Sequence, residues 1–470
     1  MFIIIIMIQL VDRRREMEFL EDMYSRNGAS LIILYGRRRT GKSRLLVESL
    51  KRKNGIYFMA TQSNLEDNIK KLSTILGDRL RDDIFSRTPF RGLEDLLTEF
   101  VKRMEKKTIL VIDEFPYLFN NRPSLLSELQ RVWDLVLKET DIKMVLCGSS
   151  ISMMEQKVLS RSSPLYGRRE GQWRLMPLPV GQVKEFLPDY NWEDIIRTYS
   201  ICDGIPEYLL KIQGDRPFKW NIDNRVLRKG EYLADEGRIL LLQEFSRIGN
   251  YMFILEVISM GRRRQKDISD QTGMDKGMVS KYIFNLREAG YVDYEVPYGS
   301  TRRNRKGRYV LSDNYMDFYF SFIHPNRTEL ELDTLKYDTI EEDLDTWMGR
   351  KFERIVRDLM LRTGSFSEVT SWWEGEDEID VIAKDRKNKE ILLGDLKWRN
   401  RKYGGEDLGR FLDRCDKIKR PGNYTETRFV VSRKGFRKNV EDEMEEVGIP
   451  RFDLKSLEDP IRRSRFDPRD

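Results

Sequence analysis

Gly36-Arg37-Arg38-Arg39-Thr40-Gly41-Lys42-Ser43, running on into Arg44-Leu45-Leu46, decides how the first half of this chain is read. The apolar run Leu31 to Tyr35 precedes it and a helical pattern follows. A phosphate loop works only in that setting, between a buried strand and a helix N-terminus. There the glycines let backbone N–H groups turn inward around phosphate oxygens, and the helix dipole adds partial positive charge. Gly36 to Arg44 are therefore expected to cradle a nucleoside triphosphate, with Lys42 on its β- and γ-phosphates and the Ser43 hydroxyl on Mg2+.

The next piece of chemistry downstream is Thr108-Ile109-Leu110-Val111-Ile112-Asp113-Glu114, an apolar strand ending in two carboxylates. A Mg-dependent NTPase needs such a pair: Asp113 to hold the metal's water shell and Glu114 to orient the attacking water. A third strand, Ile142 to Cys147, ends in Gly148-Ser149-Ser150, and Ser149 is the candidate γ-phosphate sensor. Arg168, in Ser163-Pro164-Leu165-Tyr166-Gly167-Arg168-Arg169, is a candidate arginine finger, in cis or from a neighbouring subunit. Upstream, Asp12 to Leu20 reads as an N-capped amphipathic helix, and Gly55 to Thr61 as a further strand.

These segments, with Asp113-Glu114-Phe115-Pro116-Tyr117-Leu118, Tyr166-Gly167-Arg168-Arg169 and Gly204-Ile205-Pro206-Glu207-Tyr208-Leu209 in order, resemble an archaeal ATPase family related to AAA+ and STAND proteins. The resemblance covers roughly residues 10 to 245. It implies a parallel-sheet P-loop core over 1–175 and a helical lid over 176–245 that contains Gly204 to Leu209. It also implies ATP rather than GTP as the nucleotide.

Residues 246–330 read as a winged helix-turn-helix. Ile254, Leu255, Val257 and Ile258 mark a first helix, Lys266 to Thr272 a second, Gly273-Met274-Asp275 a turn, and Lys276 to Ala289 a third. Asp275 suits its N-cap and Gly290 its stop. Val279, Tyr282, Ile283 and Leu286 face inward, leaving Lys276, Ser280 and Lys281 for a DNA major groove. Two β-like runs, Tyr291 to Val296 and Gly307 to Leu311, flank a basic wing carrying Arg302, Arg303, Arg305 and Lys306. Such a wing can neutralise phosphates. Winged helices also serve as rigid adaptors in multidomain ATPases.

Residues 331–470 form a last module. A helical pattern, Thr346 to Leu361, contains Glu353. Two strand-like runs follow, Glu378 to Ala383 with Asp380, and Glu390 to Trp398 with Asp395 and Lys397. Alternation puts Asp395 and Lys397 on one face. Glu353, Asp380 and Asp395 are expected to gather one or two Mg2+ ions, with Lys397 near the attacking water or scissile phosphate. The order helix-Glu, strand-Asp, strand-Asp-x-Lys resembles the PD-(D/E)XK nuclease fold over about residues 345 to 455, with Asp395 where that family often has Glu. Trp372, Trp373 and Trp398 are expected to pack rather than to stack on bases.

The whole chain of 470 residues is therefore expected to be an α/β protein: a P-loop parallel sheet with a helical lid, a winged helix, and a small α/β nuclease-like domain. A hydrophobic share of 40% supplies several cores, and 34% charged residues give a strongly charged surface. The net charge of +6 leaves the nucleic-acid question to local distribution. Cys147, Cys202 and Cys415 are far apart and form no metal motif, and His324 is the only histidine. The opening run Phe2 to Ile8 is too short to span a bilayer and lacks a basic flank. A cytoplasmic protein is expected, with ATP and Mg2+ as cofactors, DNA as partner, and a second copy or another protein beside it. The function expected is an ATPase coupled to DNA binding and cutting. The alternative is a nucleotide-driven switch or scaffold whose nuclease-like fold does not cut.

Overall fold

The computed structural model describes residues 10–104, 106–120, 122–300, 306–419 and 422–469. The apolar opening run and Arg302, Arg303 and Arg305 lie outside the described residues. The chain divides into two compact units. One runs through Pro177 and includes Ile205–Glu207; the other holds Leu178–Gly204 and the chain from Tyr208 onward. The segment 176–245, read as a lid, thus falls almost wholly in the second unit.

In the first unit, strands β1 (Ser30–Tyr35), β2 (Gly55–Met59), β3 (Thr108–Asp113), β4 (Ile142–Gly148) and β5 (Gly171–Arg174) lie in the order β2-β3-β4-β1-β5. Every neighbouring pair is parallel. Parallel strands are joined by helical crossovers and buried on both faces, which is why they read as unbroken apolar runs. Alternation sorts their side chains. Leu31, Ile33, Leu110, Ile112, Met144 and Leu146 pack on one face; Ile32, Leu34, Ile109, Val111, Val145 and Cys147 pack on the other. With β3, β4 and β1 adjacent and parallel, the segments that follow them emerge at one edge of the sheet.

The start of the first helix departs from the reading. The helix is Arg14–Ser25, its N-cap position is Arg13 at φ 81°, and no side chain caps it. The Arg13 guanidinium turns inward and donates to Met176 O at 2.9 Å and Thr40 O at 3.1 Å. Those buried bonds, with an ion pair to Glu16 at 3.1 Å, outweigh the local cap expected from Asp12.

In the second unit, helices Gly249–Ser259, Gln265–Thr272 and Lys276–Glu288 are followed by an antiparallel hairpin, β6 (Val292–Glu295) and β7 (Arg308–Leu311). This is the element order expected over 246–330. Asp275 caps the third helix as expected, accepting from Gly277 N at 2.8 Å and Met278 N at 3.0 Å. Asp275→Ala should lower stability by about 1 kcal/mol, read as a lower melting temperature of the full chain; an unchanged melting temperature would show that the cap contributes nothing.

A 25-residue helix, Tyr337–Leu361, opens the last module. Strands β8 (Glu368–Glu374), β9 (Asp377–Asp385) and β10 (Glu390–Lys397), the helix Gly405–Cys415, and strands β11 (Thr425–Ser432) and β12 (Arg451–Asp453) follow. The sheet order is β12-β11-β10-β9-β8, antiparallel from β8 to β10 and parallel from β10 to β12. Gly394 on β10 leaves room for the Phe429 ring, which lies 2.3 Å from where a Cβ would sit. That close approach holds the strand against β11 one residue before Asp395.

Candidate functional sites

The loop after β1 is shaped by its backbone. Gly36 (φ 155°), Arg39 (φ 68°) and Gly41 (φ 91°) have positive φ, the last directly before helix Lys42–Ser49. Alternating hands of this kind turn successive N–H groups into one concavity. At Gly36 a Cβ would stand 2.3 Å from Leu175 O, so no other residue fits. Lys42 is buried, and Nζ donates to Gly36 O at 2.9 Å and Arg37 O at 2.7 Å. Burial pulls its ammonium below the ordinary lysine range, with Cys147, Glu114 and Asp113 offsetting only part of that.

The strand ends meet this loop. Ser43 Oγ donates to Asp113 Oδ2 at 2.5 Å, and Tyr57 OH donates to the same oxygen at 2.6 Å. Asp113 Oδ1 accepts from Glu114 N at 2.9 Å. Glu114 sits at φ 51°, and Ser149 Oγ donates to its Oε1 at 2.5 Å. Ser43, Asp113, Glu114 and Ser149 are thus joined by hydrogen bonds at the edge of the loop. Hydroxyl and carboxylate oxygens suit Mg2+. Tyr57 was not singled out from sequence; its only signal is its place on the half-exposed face of β2. Burial and Asp113 together hold its phenol well above the ordinary tyrosine range.

Arg168 departs from the expectation of an arginine at the nucleotide. Its guanidinium forks onto Asp134, Nε–Oδ1 at 2.8 Å and Nη2–Oδ2 at 2.6 Å, and also donates to Pro164 O and Tyr166 O. A bidentate pair of this geometry fixes the side chain on its own unit's helix Leu125–Leu135.

A second constellation lies in the second unit. Lys397 Nζ donates to Asp395 Oδ1 at 2.6 Å and Asp380 Oδ2 at 3.2 Å. Leu396 N donates to Asp380 Oδ2 at 2.7 Å, and Tyr403 OH to Asp395 Oδ2 at 2.8 Å. Burial works against the Lys397 charge, but Asp380 and Asp395 outweigh it and hold the ammonium above its ordinary range. Burial, with Asp380 adding to it, raises Asp395. Glu353 is pushed up to about 8, by burial first and Asp380 second. The structure therefore brings Glu353, Asp380, Asp395 and Lys397 into one electrostatic cluster. It differs from the expected metal cage in one respect. Among the described residues no group of three acids, histidines or cysteines stands ready around a metal, and the Lys397 ammonium bridges Asp380 and Asp395. Their oxygens have the donor chemistry for Mg2+.

Of the wing cations, Lys306 lies among the described residues, and it is paired. Lys306 Nζ pairs with Glu374 at 2.6 Å, and Trp373 Nε1 donates to Lys306 O at 3.1 Å. Tyr298 N donates to Ser371 O at 2.9 Å, and Arg308 pairs with Glu378 at 3.2 Å while lying 4.0 Å above the Trp373 ring. The hairpin thus covers the edge strand β8, for which the sequence reading has no strand. On the third helix Lys276, Ser280 and Lys281 are exposed; Gln265 Nε2 donates to Ser280 Oγ at 2.6 Å. Trp373 and Trp398 are buried, as expected. Among the described residues, no helix is long and apolar enough to cross a membrane.

Residues 10–212 match a family described as an ATPase domain predominantly from Archaea. Residues 319–407 match one described as "Archaea bacterial proteins of unknown function". Over 432 residues the chain is 31% identical to the uncharacterized protein MJECL04 of Methanocaldococcus jannaschii, a match spanning 90% of this chain and 95% of that one. Among solved structures, the Walker-type ATPase PABY2304 of Pyrococcus abyssi aligns with 66% of this chain and 96% of its own, at 22% identity and a TM-score of 0.47. The ORC2 protein of Aeropyrum pernix, in ADPNP–ADP complexes, aligns with 69% and 96% at 14% identity and a TM-score of 0.41.

Proposed function

This chain belongs to the family of its Methanocaldococcus jannaschii relative and carries an archaeal P-loop ATPase domain, and from that premise we propose that its ATPase serves a second unit that binds DNA and cuts it in a metal-dependent reaction. The observation that carries the proposal is the Asp380–Lys397–Asp395 contact, an ammonium between two carboxylates at the end of β10. In the first unit, the loop from Gly36 to Ser43 binds the triphosphate, Lys42 lies along its β- and γ-phosphates, and Glu114, held by Ser149, orients the water. Ser43 and Asp113 would hold Mg2+, which would supply charge neutralisation at the phosphates.

In the second unit, Asp380 and Asp395 would hold Mg2+, a Lewis acid that supports in-line attack on a phosphodiester. Lys397 leaves its bridging place and stabilises negative charge on the phosphate; Tyr403 keeps Asp395 oriented. Lys276, Ser280, Lys281 and the wing arginines Arg302, Arg303 and Arg305 contribute phosphate contacts, whereas Lys306 must first part from Glu374.

The test is cleavage of supercoiled and linear DNA with Mg2+ or Mn2+, with and without ATP, by the full chain and by Asp380→Ala and Lys397→Ala. Metal-dependent cutting that both variants lose is the expected result. With ATPase activity intact, no cutting under any condition would sink this reading in favour of a nucleotide-driven switch or scaffold.

A further inference from the structure

The covered edge strand has a consequence for what the second unit can hold. A cleft of about 300 Å³ opens among hairpin β6–β7, strand β8 and helix Tyr337–Leu361. Five arginines line it: Arg263 from the turn before helix Gln265–Thr272, Arg308 from β7, and Arg350, Arg354 and Arg357 from one face of the long helix. Arg308 is engaged with Glu378 and Trp373, and Arg357 donates to Asp380 O at 2.7 Å. Among the described residues, Arg263, Arg350 and Arg354 make no side-chain hydrogen bond or ion pair.

The lining also carries acids, and their placement decides what the cleft attracts. Asp317 is taken by Lys351 at 2.5 Å and Glu378 by Arg308. Asp358 acts chiefly on Arg354, with Asp293 a weaker influence there, and Glu295 acts on Arg308. What remains is the like-charge pair Arg263 and Arg350, which Asp317 and Glu353 offset only in part at Arg350. Burial and then the charge of Arg263 weaken the hold of Arg350 on its proton, and Arg263 opposes Arg308 in the same way. Guanidiniums that converge in a half-enclosed space without partners are stabilised by an anion that can accept from several of them.

The size of the cleft narrows the choice of anion. About 300 Å³ is at the small end for a ligand site. It has room for one nucleotide unit, not for a duplex, whose major groove alone is about 12 Å wide. Glu353 and Arg357 line the cleft and also belong to the Asp380–Lys397 cluster, so the two are continuous.

We propose that this cleft binds a backbone phosphate of single-stranded nucleic acid, with Arg263 and Arg350 as its ligands, one contributed from the winged-helix region and one from the nuclease-like module. That the strand is thereby presented for cutting rests on the function proposed above; the binding itself does not. Among the described residues, no aromatic side chain lines the cleft, so recognition is of phosphate and tolerant of base sequence.

The test is anisotropy of a labelled single-stranded oligonucleotide, and of its duplex, with the full chain in EDTA across a salt series, where no cutting occurs. Arg263→Gln/Arg350→Gln should weaken single-strand binding about tenfold or more. It should also reduce the slope of log affinity against log salt by about 0.7, the share of one phosphate contact. Neither guanidinium holds a structural hydrogen bond, so melting should be unchanged; Arg350→Glu gives a stronger loss at the same site. A double variant that binds with wild-type affinity and slope overturns the proposal whatever the cleavage assay shows. A wild type that binds duplex but not single strand overturns it and leaves the DNA reading standing. Binding of neither form at low salt removes both.

Discussion

Glu114→Gln is expected to bind ATP as the unaltered protein does and to hydrolyse it at least a hundredfold more slowly. The amide is isosteric, so Ser149 Oγ keeps its acceptor at Oε1, 2.5 Å away in the native site. What the amide lacks is the negative charge that polarises and orients water. A hundredfold loss corresponds to about 2.7 kcal/mol of transition-state stabilisation, within the range for one positioned general base. The backbone points the same way. Glu114 is held at φ 51°, a conformation that costs a non-glycine residue about 1 kcal/mol and persists where the surroundings enforce it. Lys42→Ala, by contrast, should lose nucleotide binding itself, because Lys42 is the buried cation of the loop. Calorimetric ATP titration and phosphate release, run on both variants, separate the two effects. Wild-type turnover by Glu114→Gln would take Glu114 out of the water-orienting role.

The parts of these sites that were legible in the sequence are those in which spacing along the chain fixes position in space. Gly36 to Ser43 lie between a strand and a helix, and Asp113 and Glu114 end a strand that pairs next to β4. Asp395 and Lys397 are two residues apart on β10, so the pleat alone puts them on one face. Tyr57 and Tyr403 were not legible, because each reaches its aspartate from another segment. Tyr403 arrives from a loop eight residues beyond Asp395, pinned by its bridge to Phe436. Arg13 is hidden for the same reason: its partners are the carbonyls of Thr40 and Met176, and the segment itself reads as an ordinary helix start. Strand β8 went unread because Trp372 and Trp373 adjoin a register shift at Thr370/Trp372 that breaks the alternation. Arg168 and Lys306 are the converse case. Their charge suggests ligands, and in this structure Asp134 and Glu374 pair with them.

Glu353→Gln should abolish metal-dependent cutting and at the same time stabilise the metal-free protein above neutral pH. The opposite signs follow from one fact, that the Glu353 carboxyl is raised to about 8 by burial and by Asp380. In the unfolded chain the same group ionises near 4.3. Between those values the folded state keeps a proton that the unfolded state has released, so stability falls as pH rises through the window. Asp395, raised in the same direction, adds to the slope. Glutamine has no proton to lose, and its contribution is flat. The side chain is 23% exposed, which discounts the full electrostatic shift; a gain of about 2 kcal/mol at pH 8 in EDTA is expected, shrinking to about zero at pH 4. Thermal melts of the two proteins across that range measure it. If Glu353 were an ordinary structural carboxylate, the variant would lose stability at high pH, not gain it. Equal melting of variant and wild type at pH 8 would mean that Glu353 is already ionised without cost, and that burial and Asp380 do not raise it.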